Sequence, residues 1–572
     1  MEYRLLTTSL KKLGFTFIVL MSTLGMSQTS KLADLIDEFG ADTWGLRHIY
    51  IMEESEEYYE RFSKFYDSWM KRMEEIDFNS LTQQEKVDYV LLKNSMVKGD
   101  YFLNQDYDDF KEVADVANFT KTMLPFIKER RRGNKPDSKV LAQIMQDASK
   151  TLAAQKETRK EKPFKDWQTA DKASEIVLSF QKGLKEAYEF YYSYDPDFTW
   201  WVEQPYKSLD GNLKEYAEFL KNNYSENSIK DDGSGIIGKP IGKEALLESL
   251  AMEFIPYTPE QLIKTAEEQF NWCKNEMIKA SRELGYGDDW KAALEHVKNT
   301  YVPAGEQPQA IMDLYTQSVD FIEERDLITL PALAKETWGM EMMSAERQKV
   351  SPFFLGGRDI IISYPTQEMD HDDKMMSMRG NNPNFSRATV HHELLPGHNL
   401  QYFMTSRHKR YRNAFYTPFW TEGWSLYWEI ILWNKDFPQT PEQKLGMLFW
   451  RIHRCARIIF SLKFHLGEMT PQQCIDLLVD EVGHEYANAE AEVRRSFTTS
   501  YPPLYQLAYM MGGLQFYALR NELLERGWTE KQFHDRVMHE GRMPVELLRA
   551  LLEDLPLDKN YKTKWKFSTE FK

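Results

Sequence analysis

The sequence predicts a mainly α-helical protein, with a large multi-helical architecture and at most a small β element. Three observations support this fold class. Helix-capping patterns recur along the chain, strand patterns are sparse, and strands do not alternate with helices as a parallel α/β sheet requires. With 572 residues, 42% of them hydrophobic, the chain is long enough for one large core or two fused helical domains.

Helix starts are marked by Thr-Pro pairs. Thr258, Thr440 and Thr470 each precede a Pro, and a Gln follows each of them three positions later. In this pattern Thr caps the first amides, Pro takes the first helical position, and Gln reaches back to the cap. Apolar residues recur every three or four positions from Leu445 to Ile459, which is typical of a core-facing helix.

One short strand is predicted from Ile360, Ile361, Ile362 and Tyr364, which follow Gly356-Gly357. Residues 233–238 contain the pattern G-x-G-x-x-G. A dinucleotide site needs a strand before this pattern, and the preceding residues are polar, so we interpret it as a turn.

The first 27 residues have the pattern of an export signal. Arg4, Lys11 and Lys12 supply positive charge, and residues 13–26 are apolar but few for a membrane span. We therefore expect an exported protein, periplasmic or extracellular, without stable membrane insertion. An N-terminal membrane anchor is the alternative.

Charge and cysteine content exclude several classes of protein. The formal net charge of −16 disfavours nucleic acid and anionic lipid as partners. Cys273, Cys455 and Cys474 are far apart and odd in number, which excludes a disulfide framework and a Cys-rich metal site. Cys455 lies within the apolar helix pattern and is expected to be buried.

The predicted chemistry centres on His392-Glu393 and His398. Three His-Glu dipeptides occur, and only this one has a second His four to six positions later. A catalytic zinc site uses three protein ligands and leaves one position for water. A neighbouring Glu then takes the proton of that water and passes it to the leaving amine.

The spacing of the two histidines requires a distorted backbone. His392 and His398 are six positions apart, about 240° around an ideal helix, and so lie on different faces. Pro396-Gly397 between them predicts a bulge or kink that brings them together. The rival pair, His391 and His398, shares a face but is separated by about 10 Å along the axis. A kinked core helix with satisfied histidines is the alternative to a metal site.

The third ligand is expected from a second helix that starts near Glu422. Glu422 and Glu429 are seven positions apart on one face, among Trp and Tyr residues. A carboxylate in such surroundings is paired or binds a cation, unless it lies on an exposed edge. We predict Glu422 as the ligand and Glu429 as the group that orients a ligand.

These motifs resemble a bacterial family called domain of unknown function 885, which is distantly similar to His-Glu zinc metallopeptidases. The resemblance extends from near Leu32 to the C-terminus. It rests on three blocks: His392-Glu393-Leu394-Leu395-Pro396-Gly397-His398-Asn399-Leu400-Gln401, then Glu422-Gly423-Trp424-Ser425-Leu426-Tyr427 with Glu429, and Phe533-His534-Asp535 with Gly541 and Pro544. It implies His392, His398 and Glu422 as zinc ligands, Glu393 as the base, and a large multi-helical, zincin-like cleft architecture. Asn399 stands where the family has a further His.

A zinc peptidase also needs a hydrogen-bond donor for the oxyanion. Tyr501, Tyr505 and Tyr509 lie four positions apart, and we choose Tyr509, the last Tyr of another family block. Ordinary core tyrosines are the alternative. Arg494 or Arg495 is a candidate for binding a substrate carboxylate, with an exposed ion pair as the alternative.

We therefore expect a signal peptide (1–27), an N-terminal helical region (28–245) and a catalytic helical region with the metal site (246–572). The predicted function is a secreted zinc metallopeptidase-like hydrolase, with Zn²⁺ as cofactor and a short peptide or similar amide as substrate. Two alternatives are a zinc amidase acting on a non-peptide substrate and a non-catalytic periplasmic binding protein on the same scaffold. No other cofactor is predicted.

Overall fold

The computed structural model describes residues 30–225, 231–348, 353–498 and 501–567. The predicted signal peptide lies outside these residues. A hydrophobic core contains buried side chains from Leu32 to Phe567, so both predicted helical regions contribute to it. The division of the chain at residue 245 stays a prediction.

The first part of the chain folds into helices, several of which pack against their neighbours in sequence. They are α1 (Lys31–Ile49), α2 (Glu56–Glu74), α3 (Gln83–Val113), α4 (Leu124–Glu129), α5 (Ser138–Lys160), α6 (Trp167–Tyr191), α7 (Pro196–Lys221), α8 (Gly242–Met252), α9 (Pro259–Glu283), α10 (Trp290–Lys298), α11 (Gln307–Glu324) and α12 (Ala332–Thr337). Short 3-10 helices span Phe78–Ser80, Ala114–Thr122 and Arg130–Arg132.

The second part carries the candidate site. Its elements are β1 (Met340–Met342), α13 (Ala345–Gln348), β2 (Ile360–Ile362), α14 (His371–Gly380), α15 (Pro383–Glu393), α16 (His398–Thr405), α17 (Pro418–Asn434), α18 (Pro441–His465), α19 (Pro471–Leu477), α20 (Tyr486–Thr498), α21 (Tyr505–Glu525), α22 (Glu530–Glu540) and α23 (Val545–Leu552). A 3-10 helix spans Arg410–Ala414, and a π-helical turn spans Leu478–Val482.

The mainly α-helical fold class is confirmed, and the β element is small. The predicted strand forms at Ile360–Ile362 and pairs in parallel with Met340–Met342, a strand that the sequence did not predict. Leu355 adds an antiparallel bridge to Ile361. The zincin-like cleft architecture stays a prediction.

The predicted helix starts are also confirmed. Thr258 and Thr470 form capping boxes with the Gln three positions on, and the Thr440 hydroxyl accepts a hydrogen bond from the backbone of Gln443. The stretch 231–238 is a loop, as predicted, in which the Asp231 side chain accepts hydrogen bonds from the amides of Gly233 and Gly235.

Two helices cross closely beside the site. Gly423 of α17 lies so near Gly512 of α21 that a Cβ added at Gly423 would meet the Gly512 Cα at 2.6 Å. Only glycine permits this backbone contact. Glu422 is the neighbour of Gly423, and Tyr505 and Tyr509 share the face of Gly512. The crossing therefore holds the carboxylate next to the tyrosines.

Cys273, Cys455 and Cys474 are all buried free thiols, as expected for Cys455. Among the described residues, no helix combines the length and the apolar character needed to cross a membrane.

Candidate metal centre

The backbone breaks between the two histidines. Helix α15 ends at Glu393, and α16 begins at His398, with a cis peptide bond between Leu395 and Pro396 in the connection. The prediction of a bulge or kink is therefore confirmed in a stronger form, because two separate helices present the histidines.

Gly397 makes this tight connection possible. Its amide donates to the carbonyl oxygen of His391 at 3.1 Å, and a Cβ on Gly397 would lie 1.9 Å from the carbonyl oxygen of His392. The indole of Trp424 on α17 donates to the carbonyl oxygen of Pro396 at 2.9 Å, which fixes the turn against the neighbouring helix.

The predicted ligands converge on one point. Glu422 Oε2 lies 3.6 Å from His392 Nε2 and 3.2 Å from His398 Nε2. Ligand atoms at about 2.0–2.1 Å from a tetrahedral zinc ion are separated by about 3.3–3.4 Å. The spacing of these atoms therefore fits a shared metal ion.

Glu393 is the competing candidate for the third ligand. Its carboxylate and the two histidines place ligand atoms within 4.8 Å of one another. However, Glu393 Oε2 is 4.0 Å from His398 Nε2, farther than Glu422. The distances thus favour Glu422 as the ligand and leave the Glu393 carboxylate beside the cluster.

Neighbouring groups fix the orientation of both histidine rings. The Glu429 carboxylate lies 2.7 Å from His392 Nδ1, and a carboxylate only accepts, so Nδ1 carries a proton and Nε2 is the nitrogen that faces Glu422. Gln401 donates through Nε2 to the carbonyl oxygen of Trp420 at 3.1 Å, which turns its Oε1 towards His398 Nδ1, also at 3.1 Å. Gln401 is an orienting residue that the sequence analysis did not single out, although it lies one turn after His398.

Buried charge sets the ionisation of the cluster. Burial alone would lower the pKa of His392, but Glu422 and Glu429 outweigh it and raise that pKa to about 9. Burial would raise the pKa of Glu422, but both histidines lower it well below its usual range. Burial dominates at Glu393 and raises its pKa. The buried carboxylates thus stabilise positive charge at the histidines, and they would stabilise a metal cation in the same way.

The donor set fits zinc rather than magnesium or calcium. Two imidazole nitrogens and one carboxylate oxygen are the ligands of many catalytic zinc sites, whereas magnesium and calcium prefer oxygen ligands alone. A tetrahedral zinc ion held by these three groups would keep one position for water or substrate.

The cluster lies in a cavity of about 240 Å³ lined by residues of α15 to α18, α20, α21 and the loop before β2. That loop approaches closely: a Cβ on Gly356 would lie 2.0 Å from Glu393 Oε2. A larger cavity of about 520 Å³ lies between α2, α3 and α6 and contains no His or Cys. Volume alone therefore does not mark the site.

The structure separates the roles of the three tyrosines, all of which line the cavity. The Tyr505 hydroxyl donates to Glu422 Oε1 at 2.6 Å, and thus holds the ligand. The Tyr509 ring is nearly parallel to the His392 ring at 6.1 Å. Tyr501 stacks on Tyr505 at 4.3 Å. Tyr509, the residue predicted as oxyanion donor, thus lies beside the ligands.

Of the two predicted arginines, Arg495 lines the cavity and Arg494 does not. Arg494 instead donates to the carbonyl oxygen of Gly235 and pairs with Glu490. Arg454 and Arg457 of α18 also line the cavity and were missed. Their signal in the sequence was the presence of arginines inside an otherwise apolar helix.

Two histidines of the sequence motifs, His391 and His534, lie outside the candidate metal centre. The His391 ring meets Phe437 edge-on at 5.8 Å in the core, so the rival pair is not assembled. His534 Nε2 lies 2.5 Å from the hydroxyl of Tyr427 on α17, and its Nδ1 lies 2.7 Å from the carbonyl oxygen of Leu327, between α11 and α12. Glu422 lies in the second turn of α17, because the helix begins earlier than predicted, at Pro418.

Comparisons with known proteins agree with the resemblance seen in the sequence. Residues 41–552 match the family described as "Bacterial protein of unknown function (DUF885)". A solved structure described as "a putative lipoprotein of unknown function from Shewanella oneidensis" is similar over 92% of this chain and 100% of its own, with 17% identity and a TM-score of 0.69. Another, "the putative lipoprotein from Colwellia psychrerythraea", is similar over 68% and 70%, with 17% identity and a TM-score of 0.50. No curated protein matches the chain.

Proposed function

The chain belongs to the DUF885 family of bacterial proteins of unknown function, and from its metal-ligand cluster we propose that it is a zinc-dependent hydrolase of peptide or similar amide bonds. The observation that carries the proposal is the convergence of His392, His398 and Glu422 beside a cavity that also holds Glu393. When bound, zinc supplies Lewis-acid chemistry, which makes water a nucleophile near neutral pH and polarises a carbonyl group.

Glu393 has the position and the environment of a general base. It directly follows His392, and its carboxylate faces the edge of the ligand cluster at 4.0 Å from His398 Nε2. Burial raises its pKa, which strengthens it as a proton acceptor. Glu393 therefore takes a proton from the attacking water and returns it to the leaving amine.

Tyr509 is suited to stabilise the carbonyl oxygen during attack. Burial raises the pKa of its hydroxyl, so the group stays protonated and able to donate a hydrogen bond. Its ring lies beside His392, whereas the hydroxyl of Tyr505 is already used by Glu422. A donor aimed at the developing charge lowers the barrier to hydrolysis.

Export to the periplasm or the cell exterior is part of the proposal. It is supported by the positively charged and then apolar pattern of residues 1–27. The two solved structures with a similar fold are also described as lipoproteins, a class of exported protein.

The test joins metal content with turnover. Purified protein should contain one zinc ion per chain by elemental analysis and should cleave members of a peptide library followed by mass spectrometry. Glu393→Gln should keep the zinc and lose at least about 100-fold in rate, because the base is gone while the ligands remain. Glu368→Gln, at an exposed carboxylate, is the matched control and should change neither.

Two results would contradict this function. A protein that binds no zinc when zinc is supplied has no centre of the proposed kind. A protein that binds zinc but hydrolyses no peptide or amide is a binding protein rather than an enzyme.

A further inference from the structure

The wall of the metal cavity carries several positive charges. Arg454 and Arg457 of α18 and Arg495 of α20 all line the cavity that contains His392 and Glu422. Arg454 and Arg457 are 5% and 2% exposed. Guanidinium groups this deep need an anionic partner, because an unpaired buried charge is strongly unfavourable.

Ion pairs join these arginines to two carboxylates of the protein. Glu492 pairs with Arg457 at 2.7 Å and also with Arg495 at 2.9 Å. The carboxylate facing Arg454 is Glu429 at 3.8 Å, and that same oxygen is 2.7 Å from His392 Nδ1. Three guanidinium groups thus share Glu492 and a carboxylate that is committed to a metal ligand.

Parts of these arginines are left for a ligand. Arg454 Nε and Arg457 Nη1 are buried and have no hydrogen-bond partner among the described residues. Burial would raise the pKa of Glu492, but Arg457 and Arg495 outweigh this effect and lower the pKa to about 2. Glu492 therefore stays ionised and remains paired with these two arginines.

The arginines lie at substrate distance from the metal ligands. The guanidinium carbons of Arg454 and Arg457 are each 4.6 Å from the Tyr509 ring centre, and the His392 ring is 6.1 Å from the same centre. Each guanidinium carbon therefore lies within 10.7 Å of the His392 ring centre, a span that at most about three extended residues cover at roughly 3.3–3.6 Å each.

We propose that Arg454, Arg457 and Arg495 bind the C-terminal carboxylate of a peptide, which makes the protein a carboxypeptidase; this rests on the proposed hydrolase function. Water oxygen bonds to the last or next-to-last peptide carbonyl carbon, and the C–N bond breaks. The amine leaves with the proton that Glu393 took from water. The products are a shortened peptide and a free amino acid or dipeptide.

A chain end fits this cavity better than an acidic side chain of a continuing peptide. The cavity of about 240 Å³ is smaller than the roughly 300–1,000 Å³ of common ligand pockets. The arginines project from α18 and α20, whose side chains form the wall there. Because Arg454 and Arg457 are almost fully buried, a terminal carboxylate that reaches them can end there, whereas a continuing peptide would need space behind them.

The experiment compares peptides that differ only at their ends. Matched hexapeptides carry a free C-terminal acid, a C-terminal amide, or an amide with an internal Glu, each with free or acetylated N-terminus. Wild-type holoenzyme should cleave the free acids at least about tenfold faster in kcat/KM and should be indifferent to acetylation.

Arg454→Met should raise KM for the free acids by about 10- to 100-fold, because a charge-assisted hydrogen bond is lost, and should leave zinc content unchanged. Arg451→Met is the matched control, on the same helix and equally buried, but stacked on Trp272 at 4.1 Å. It should change neither quantity.

A second measurement does not need turnover. Zinc-free protein should bind a tripeptide acid at least tenfold more tightly than its amide in calorimetry, and Arg454→Met should remove the difference. Equal binding of acid and amide, or rapid cleavage of the amidated peptide with an internal Glu, overturns the carboxylate assignment while leaving the hydrolase intact. Absent hydrolysis with acid-selective binding instead contradicts the hydrolase and retains the carboxylate site.

Discussion

Two buried clusters of charge differ in how they are compensated. In the first, which we call the ion cluster, Asp88 of α3 meets Arg412 at 2.7 Å, and Glu540 of α22 pairs with both Arg412 and Lys409. Asp88 and Arg412 are fully buried. Two acids face three bases, because Glu540 also pairs with Arg536 at 2.6 Å, and the groups connect α3 to the C-terminal helices.

The metal-ligand cluster, His392, His398, Glu422 and Glu393, is built differently. Its side chains lie at the edge of a cavity, and Glu429 supports it from between His392 and Arg454. The Nε2 atoms of the two histidines share one carboxylate oxygen of Glu422. The comparison teaches that burial of charge does not by itself mark a functional site. Converging ligand atoms and room for a ligand do.

The largest effect is expected when a predicted metal ligand is removed. His392→Ala removes one of three protein ligands, so zinc affinity should fall roughly a thousandfold, and hydrolysis should fall with it. Elemental analysis after dialysis and competition with a zinc-binding dye measure the change. His391→Leu is the control, since its ring packs on Phe437, and it should retain zinc. If the two variants exchanged behaviour, the rival pair His391–His398 would be the correct one.

A smaller effect is expected when the ion cluster is broken. Arg412→Met leaves Asp88 buried without its guanidinium partner, and should lower the free energy of unfolding by about 3–5 kcal/mol. Zinc content and activity per folded molecule should stay the same, because this cluster has no part in the site. Urea unfolding measures the free energy of unfolding, and active-site titration measures the activity per folded molecule. Arg407→Met, on an exposed residue, should change stability by less than about 1 kcal/mol.

If the Arg412→Met variant folded fully but lost its zinc, the two clusters would not be independent. This result would show that the connection from α3 to the C-terminal helices also positions the metal ligands.

Much of the metal-ligand cluster was predictable because its signals are local. His392-Glu393 and His398 are close in sequence, and Pro396-Gly397 between them predicted the break that brings them together. Glu422 and Glu429 stood out as acids among aromatic residues, which is unfavourable unless they are paired. Helix starts were equally local, since a capping box needs only four residues.

The rest depended on contacts between distant parts of the chain. Arg454 and Arg457 looked like part of a core helix, and only folding places them beside α20 and Tyr509. Asp88 and Arg412 are more than 300 positions apart, and no pattern in the sequence pairs them. Met340–Met342 lacks strand character and becomes a strand because the run of Ile residues at 360–362 lies beside it.

The smallest expected effect concerns Tyr505, which the sequence offered as a possible oxyanion donor. Its hydroxyl donates to Glu422 Oε1 at 2.6 Å, so Tyr505→Phe should lower zinc affinity by about tenfold through a less well oriented ligand. At saturating zinc the rate should stay within about threefold of wild type. Tyr517→Phe, on the same helix near Asn434, is the control and should change neither. A large loss of rate with normal zinc affinity would instead make Tyr505 the oxyanion donor, because orientation of a ligand acts on metal binding first, whereas an oxyanion donor acts on the rate.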